Sequence, residues 1–340
     1  MRKIAGLVAL GLTATLLAAC GGGPGAAPGG GSKDVKIAGI NLLTFSPVFV
    51  ADKLGYFKDE GLTVTIVPTN SGDASVQAML GGSVQAVTTG FDTPIELTAK
   101  GQSAQHLAGL EMATIYAFVG GNAFPQVPAD DPQAFVNAMR GKKFGVASNG
   151  STGDTIAKGL FTEYGLDPEK DVSVIAVGTG AAATAALQAG AVDALITYEP
   201  DLTKMVNAGV GRVVFDLRTT TKEKTYSQLP TSTLQATTSW IEDNPDTARA
   251  LVRAVTRADQ VLREQPGTAL PVLKQLYPDL PAESVEGIYK ASQSHFRPEI
   301  SKQTFDAAMQ IYKNAGVLTE DVAYEKVVAT QFAGDWSAAG

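Results

Sequence analysis

A short loop of small polar residues near the middle of the chain has the composition of a ligand-binding turn. Lys143–Ala147 is predicted to form a buried strand, and the loop Ser148–Asp154 follows it before a helix begins at Thr155. Backbone N–H groups and short hydroxyls then point at one spot, which suits an anion or the polar head of a ligand. The same residue types also cap helices, so the loop alone leaves both interpretations open.

The loop has a counterpart 108 positions earlier in the chain. Adding 108 to residues 37–93 places them on residues 145–201 without a gap, so that Thr44 meets Thr152 and Gly82 meets Gly190. Each copy is predicted to run strand, helix, strand, helix, strand, a pattern that implies parallel sheets covered on both faces. The predicted elements are Val35–Ile40, Pro47–Leu54, Leu62–Pro68, Ala74–Leu80 and Val84–Thr88 in the first copy, and Lys143–Ala147, Thr155–Tyr164, Val172–Val177, Ala181–Gln188 and Val192–Tyr198 in the second.

The repeat predicts two similar lobes whose loops face each other across a cleft. Ligands on such sheets lie at the carboxyl ends of the strands. Three pairs of loops meet that condition, namely Asn41–Ser46 with Asn149–Asp154, Asn70–Asp73 with Gly178–Ala181, and Thr89–Thr93 with Thr197–Asp201.

These loops supply a set of candidate ligand-binding residues. Hydroxyl and amide groups could hydrogen-bond a ligand, and aromatic rings could cover its apolar or planar part. Asp92 and Glu199 could receive an ammonium or amino group, although both also lie where a helix cap would. The predicted ligand-binding residues are Thr44, Phe45, Ser46, Ser71, Gly90, Phe91, Asp92, Asn149, Gly150, Ser151, Thr152, Thr179, Tyr198 and Glu199.

The first 32 residues carry the features of an export signal and a tether. Residues 1–19 combine a basic start with an apolar stretch too short for a confident membrane span, as in a secretory signal peptide. Leu17-Ala18-Ala19-Cys20 resembles the bacterial lipobox, which predicts lipidation of Cys20; an ordinary secretory signal with an incidental cysteine is the alternative. Residues 20–32 are nearly all Gly, Ala and Pro and predict a flexible tether.

The remaining chain is long enough for two lobes. We predict residues 33–121 and 231–340 for lobe 1 and residues 122–230 for lobe 2, with Gly120–Asp130 as the crossing segment. Further helices after Asn244, the last at Glu320–Phe332, should buttress the first lobe. The net charge of −7 and the lack of a basic run argue against nucleic acid as a partner.

Residue types for catalysis or metal binding are scarce. The two histidines, His106 and His295, lie far apart in sequence, and the one cysteine is Cys20, so no zinc-like cluster is expected. Gly150–Gly153 lacks the G-x-S-x-G spacing of a nucleophile elbow. Gly178–Ala183 matches a dinucleotide-binding G-x-G-x-x-A turn, but its counterpart in the first copy does not, so we interpret it as a tight strand–helix turn. Neither a cofactor nor an enzymatic activity is predicted.

Several motifs together resemble one protein family. Ser46–Leu62, with the sequence SPVFVADKLGYFKDEGL, resembles its opening motif, and Gly141–Val146, Gly150–Thr152, Val192–Ala194 and Tyr198–Pro200 resemble later ones. The family is the nitrate/sulfonate/taurine and thiamine-pyrimidine-precursor group of substrate-binding proteins for ABC importers. The resemblance covers most of the chain after the tether.

The resemblance implies an α/β type II periplasmic-binding fold, with two Rossmann-like lobes on a hinge and C-terminal helices. It implies an exported, lipid-anchored monomer on the outer membrane face or in the periplasm, which closes around a small solute and delivers it to an ABC permease with its ATPase. It also places Gly150–Thr152 and Ser46–Pro47 in the ligand site. A sulfonate-, nitrate- or taurine-like solute is the first expectation, although no arginine in the matching loops clearly claims such an anion. A pyrimidine thiamine precursor or other aromatic solute, a non-transport enzyme and a scaffold lipoprotein with a disused cleft are the alternatives.

Overall fold

The computed structural model of this chain describes residues 33–337 except 315–317 and 319. The predicted signal peptide, Cys20 and the tether lie outside the described residues. Two five-stranded sheets carry the fold, one in each lobe. In both sheets, four strands run in the same direction, and the fifth strand lies between two of them and pairs antiparallel with both.

The first part of lobe 1 contains β1 (Asp34–Gly39), α1 (Ser46–Lys53), α2 (Tyr56–Asp59), β2 (Thr63–Pro68), α3 (Gly72–Leu80), β3 (Ala86–Gly90), α4 (Thr93–Ala99) and β4 (Ala104–Gly109). Lobe 2 contains β5 (Ala117–Gly121), α5 (Pro132–Ala138), β6 (Lys143–Val146), α6 (Thr152–Glu163), β7 (Ser173–Ala176), α7 (Gly180–Gln188), β8 (Ala194–Thr197), α8 (Asp201–Asn207) and β9 (Gly211–Asp216). The chain then returns to lobe 1 through β10 (Ser232–Thr237), α9 (Thr238–Asp243), α10 (Pro245–Glu264), α11 (Pro266–Leu276), α12 (Ala282–Ser292), α13 (Lys302–Asn314) and α14 (Tyr324–Val327). The first sheet has the order β2-β1-β3-β10-β4 and the second has the order β7-β6-β8-β5-β9.

The structure confirms the 108-residue repeat. Helices α3 and α7 begin and end exactly 108 positions apart, and so do α4 and α8. Gly82 and Gly190, which the register pairs, both have positive φ angles, at 73° and 68°. Such backbone is strained for any other residue type, which explains why both copies carry glycine after the helix.

One predicted boundary between the lobes is wrong. The strand β5, which the sequence placed at the end of lobe 1, pairs with β8 and β9 of the second sheet. The first crossing is therefore the segment 110–116 between β4 and β5, and not Gly120–Asp130. The second crossing joins β9 to β10, and β10 pairs in the first sheet as the sequence predicted.

Aromatic side chains fill the interior of lobe 2. Phe135 lies at the centre of this cluster, because it contacts Phe118 at 4.7 Å and stacks on Phe215 at 5.7 Å between ring centres. Phe144 and Phe161 extend the cluster beneath β6 and α6. The cluster therefore anchors the two elements that flank the Ser148–Asp154 loop.

The C-terminal helices pack on lobe 1, where α10 contacts α1, α2 and β4. The predicted last helix at Glu320–Phe332 is wrong, because only α14 is helical there before a 3-10 turn at Thr330–Asp335. Val328 instead forms a β-bridge with His106 of β4, and the Trp336 indole N–H donates to the Leu107 carbonyl. The end of the chain thus covers the outer strand of the first sheet, which would otherwise be an exposed edge.

Candidate functional site

The facing loops of the two lobes enclose a cleft with a volume of about 350 Å³. A hydrogen bond joins the lobes across it, in which the Thr152 hydroxyl donates to Asp92 Oδ2 at 3.0 Å. Thr152 begins α6 after the second sheet's β6, and Asp92 precedes α4 after the first sheet's β3. The cleft is lined by Gly72, Asp73, Asp92, Tyr116, Ala147, Gly150, Ser151, Thr152, Gly153, Gly178, Thr179, Ala183, Ile196, Thr197 and Tyr198.

The loop before α6 is both a helix cap and a wall of the cleft. Ser151 is the N-cap residue of α6, and its side chain accepts a hydrogen bond from the Asp154 N–H. The buried Asp154 carboxylate in turn accepts from the Gly150 N–H at 2.8 Å and pairs with Lys158 at 3.2 Å. Capping by Ser151 is therefore confirmed, and the loop's own carboxylate holds the Gly150 N–H.

Asp92 is a carboxylate of the cleft whose pKa is raised above its ordinary value. Burial raises its pKa, the neighbouring charge of Glu96 raises it further, and the hydrogen bond from Thr152 opposes both. No lysine or arginine among the described residues pairs with this carboxylate. The rings of Tyr116 and Tyr198 meet edge to face at 5.6 Å and form an aromatic wall beside it.

A narrow polar recess adjoins the cleft at Tyr198, and Arg218 lies in its wall. The guanidinium makes two hydrogen bonds to Asp216, at 2.8 and 2.9 Å, and a third to Glu199 at 3.0 Å. Burial lowers the pKa of Arg218, but its bonds to both carboxylates outweigh burial and raise the pKa above its usual range. Glu199 is therefore already paired, and also accepts from the Thr203 N–H at 3.1 Å.

The recess also contains a buried carboxylate without a close partner. Glu111 lies in the first crossing and is 1% exposed. Neither of its carboxylate oxygens accepts a hydrogen bond from a described residue, and the nearest basic atom, Nδ1 of His295, is 3.8 Å away. Thr44 lines the same recess, with its hydroxyl bonded to Ser232 at 2.6 Å.

The structure brings together some of the predicted site residues and not others. Six of them line the cleft, namely Asp92, Gly150, Ser151, Thr152, Thr179 and Tyr198. Thr44 and Glu199 line the recess. The remaining six line neither, namely Phe45, Ser46, Ser71, Gly90, Phe91 and Asn149.

Burial explains why three of those six line neither the cleft nor the recess. Phe91 is fully buried and stacks on His106 with ring centres 4.6 Å apart. Burial also lowers the pKa of His106 to about 3, so this pair is an uncharged part of the core. Phe45 and Ser46 are buried where a 3-10 turn runs into α1, so they support the wall of lobe 1 from within.

The other three lie near the cleft without lining it. The Ser71 side chain caps α3 by accepting from the Ala74 N–H at 3.1 Å. Asn149 is exposed at the tip of its loop. Gly90 lies behind Asp92, and a methyl group at this position would overlap Asp92 Oδ1. Gly90 therefore gives the carboxylate the space that it occupies.

Three functional candidates were missed from the sequence. Tyr116 and Glu111 belong to the crossing segment, which was placed ten residues too late, so their position between the lobes was not recognised. Asp73 lies in the first turn of α3 and was not selected as a candidate. The repeat gave a signal for Asp73, because its loop Asn70–Asp73 was paired across the cleft with Gly178–Ala181.

The remaining motifs have structural explanations. Gly178 and Gly180 both have positive φ, as expected for a tight strand–helix turn, and the Gly180 N–H donates to Asp201 at 2.7 Å. Within the described ranges, no group of three or more metal-ligand side chains comes together. In the same part of the chain, no helix combines the length and apolar character needed to cross a bilayer.

Two mixed sheets of this order, joined by two crossings with their loops facing one cleft, define the type II periplasmic-binding fold. The model of the NMT1-like family matches residues 29–276, so the chain belongs to the NMT1-like family. This confirms the family resemblance indicated by the sequence motifs.

Known proteins resemble this chain in sequence or in fold. The chain is 22% identical to YtlA of Bacillus subtilis (strain 168) over an alignment of 307 residues. This alignment covers 88% of each of the two chains. It resembles the periplasmic aliphatic sulphonate binding protein SsuA from Escherichia coli with a TM-score of 0.70 and 17% identity, over 89% of this chain and 100% of that one. The periplasmic nitrate-binding protein NrtA from Synechocystis PCC 6803 gives a TM-score of 0.59 and 20% identity, over 74% and 68% of the chains.

Proposed function

We propose that this chain is the solute-binding component of an ABC importer and not an enzyme. The observation that carries the proposal is the cleft between the lobes, whose walls come from both sheets and meet at the hydrogen bond between Thr152 and Asp92. A solute in this position contacts both lobes at once only when they are closed, so binding shifts the population toward the closed form. Membership of the NMT1-like family and the structural similarity to sulphonate- and nitrate-binding proteins support the same function.

The proposal includes export and a lipid anchor at Cys20. A tether of about a dozen residues rich in Gly and Pro would hold the folded body close to the membrane and its permease. Replacing Cys20 by Ser should move the protein from the membrane fraction to the soluble exported fraction. An unchanged membrane fraction would refute the anchor.

The cleft itself can be tested without knowledge of the solute. The body from Lys33 onward, unfolded and refolded to remove carried solutes, should gain thermal stability from the low-molecular-weight ultrafiltrate of a bacterial extract. A solute present at ~100 times its Kd adds ~2.7 kcal/mol, which raises the Tm by several degrees. In the variant Thr179→Trp this gain in stability should disappear. Thr179 is an exposed residue of the cleft wall, and the indole ring that replaces its side chain would fill the space that the solute needs.

Thr268→Trp is the matched control, since Thr268 is an exposed threonine of α11 outside the cleft. It should respond to the ultrafiltrate as the unaltered protein does. If the unaltered protein and both variants all respond equally, or if none responds, solute binding in this cleft is refuted.

A further inference from the structure

We infer that the solute bound between the lobes is an organic cation, with a protonated amine or an amidinium group held at Asp92. The inference rests on the proposed solute-binding function and assigns the chemical class of the solute. It departs from the expectation of a sulfonate- or nitrate-like anion and favours an amino-bearing alternative. Four features of the described residues support it.

The first feature is the charge of the walls. The cleft is lined by Asp73 and Asp92, and none of its described lining residues is a lysine, an arginine or a histidine. The adjoining recess adds Glu111 and Glu199, with Arg218 as its one guanidinium. Arg218 is already bonded to two carboxylates, so the charged side chains that line the cleft and the recess are predominantly acidic.

The second feature is that the chain's own side chains already accept one backbone N–H at each of three turns beside the cleft. An anion binds there through free backbone N–H groups. The N–H of Gly150 donates to Asp154, the N–H of Gly180 donates to Asp201, and the N–H of Ala74 donates to Ser71. An anionic solute that used these three N–H groups would have to displace their acceptors, two of which are carboxylates, and would then face their charge.

The third feature is a pair of carboxylates without a hydrogen-bonded cationic partner. Asp92 accepts from the Thr152 hydroxyl, and no basic side chain among the described residues reaches it. Glu111 is almost fully buried, neither of its oxygens accepts a hydrogen bond from a described residue, and Nδ1 of His295 lies 3.8 Å away. Buried carboxylates of this kind are stabilised by a cation that supplies hydrogen bonds and charge together.

The aromatic wall fits the same class of solute. Tyr116 and Tyr198 lie beside Asp92 in the cleft, and the Tyr198 hydroxyl makes no hydrogen bond to a described residue. Aromatic faces attract ammonium and guanidinium-like groups, and they also cover a flat apolar body. A flat cation can therefore use the carboxylate and the rings at the same time.

Matched probes of opposite charge test the inference by calorimetry on the refolded body. Benzamidine and benzoate share a benzene ring and carry a planar head of +1 or −1 charge. We expect benzamidine to bind at least about tenfold more tightly than benzoate, and nitrate to bind more weakly than benzamidine. In Asp92→Asn the preference for benzamidine over benzoate should fall to within about threefold.

Asp306→Asn is the control, because it removes the same unit of charge from an exposed position on α13 that pairs with Lys302. It should keep the full preference, which separates the cleft carboxylate from the net negative charge of the chain. Tighter binding of benzoate or nitrate, equal responses to both charges, or a preference that survives in Asp92→Asn would each overturn the inference. The ultrafiltrate experiment with Thr179→Trp does not depend on charge, so failure of the solute-binding function is seen separately.

Discussion

Replacing Arg218 by Met should destabilise the folded protein by about 3–5 kcal/mol, the cost of breaking a buried ion pair from one side. The Arg218 side chain is 11% exposed, and it holds Glu199 and Asp216, which are 12% and 18% exposed. Its removal leaves two mostly buried carboxylates without a cation. Chemical denaturation of the two proteins at pH 7 measures the loss.

Arg140→Met is the matched control, because Arg140 pairs with Asp171 at the surface with a side chain that is 56% exposed. That variant should lose less than about 1 kcal/mol. Adding Glu199→Gln and Asp216→Asn to Arg218→Met should recover most of the stability, since no charge is then left unpaired. If Arg218→Met lost no more stability than Arg140→Met, then Arg218, Glu199 and Asp216 would not form a buried ion network.

Replacing Asp259 by Asn should stabilise the folded protein at neutral pH by roughly 1–3 kcal/mol, the range in which unpaired buried polar groups act. Asp259 lies on α10, is fully buried, and has no hydrogen-bond partner for either carboxylate oxygen among the described residues. Burial raises the pKa of this carboxyl well above 3.8, and the charge of Arg263 offsets this only in part. An amide of the same shape removes the ionisation and keeps the packing.

The pH dependence of this effect has a definite sign. Between the unfolded pKa near 3.8 and the higher folded pKa, the native state binds more protons than the unfolded state. The stability of the unaltered protein therefore falls as the pH rises through that interval. The advantage of Asp259→Asn should grow over the same interval and vanish near pH 3.8.

Denaturation curves of both proteins across this range provide the measurement. Asp246→Asn on the same helix is the control, because its carboxylate is exposed near the helix N-terminus and its removal should cost a few tenths of a kcal/mol. An advantage of Asp259→Asn that does not vary with pH would contradict the assignment of a buried ionisable group.

The order of elements was predictable because the chain contains the same unit twice. Matching apolar strands and turn glycines such as Gly82 and Gly190 fixed the register, and the helices of the two lobes follow it. The sequence pattern did not show which of the two sheets β5 joins. An apolar strand has the same pattern in either sheet, so the crossing was misplaced by about ten residues.

The polar residues of the site were easier to predict than the aromatic ones. Ser151, Thr152 and Asp92 lie between the end of a strand and the first turn of the next helix, where topology alone brings them to the cleft. An aromatic residue at a strand end can point to either side, and Phe91 turns inward onto His106 while Tyr198 faces the cleft. The spacing of residues in the sequence does not predict in which direction such a side chain points.

The charge balance of the site also required the structure. Glu199 and Arg218 are 19 positions apart, and their pairing depends on how the second crossing folds back on β8. The sequence showed that no arginine lies in the matching loops, but not that the protein's own carboxylates hold the N–H groups of Gly150 and Gly180. Those two contacts, together with the acidic lining of the cleft, favour a cationic solute over an anionic one.

The central claim is that the two lobes close around a solute, and a distance between them tests it most directly. Gln77 and Ala185 are exposed at equivalent positions of α3 and α7, and the body from Lys33 onward contains no cysteine. Spin labels on the variant Gln77→Cys/Ala185→Cys report that distance by pulsed electron resonance. We predict that the ultrafiltrate narrows the distribution to a single short distance, and that adding Thr179→Trp prevents the change. A distribution that stays the same with and without solute would contradict closure around a bound solute.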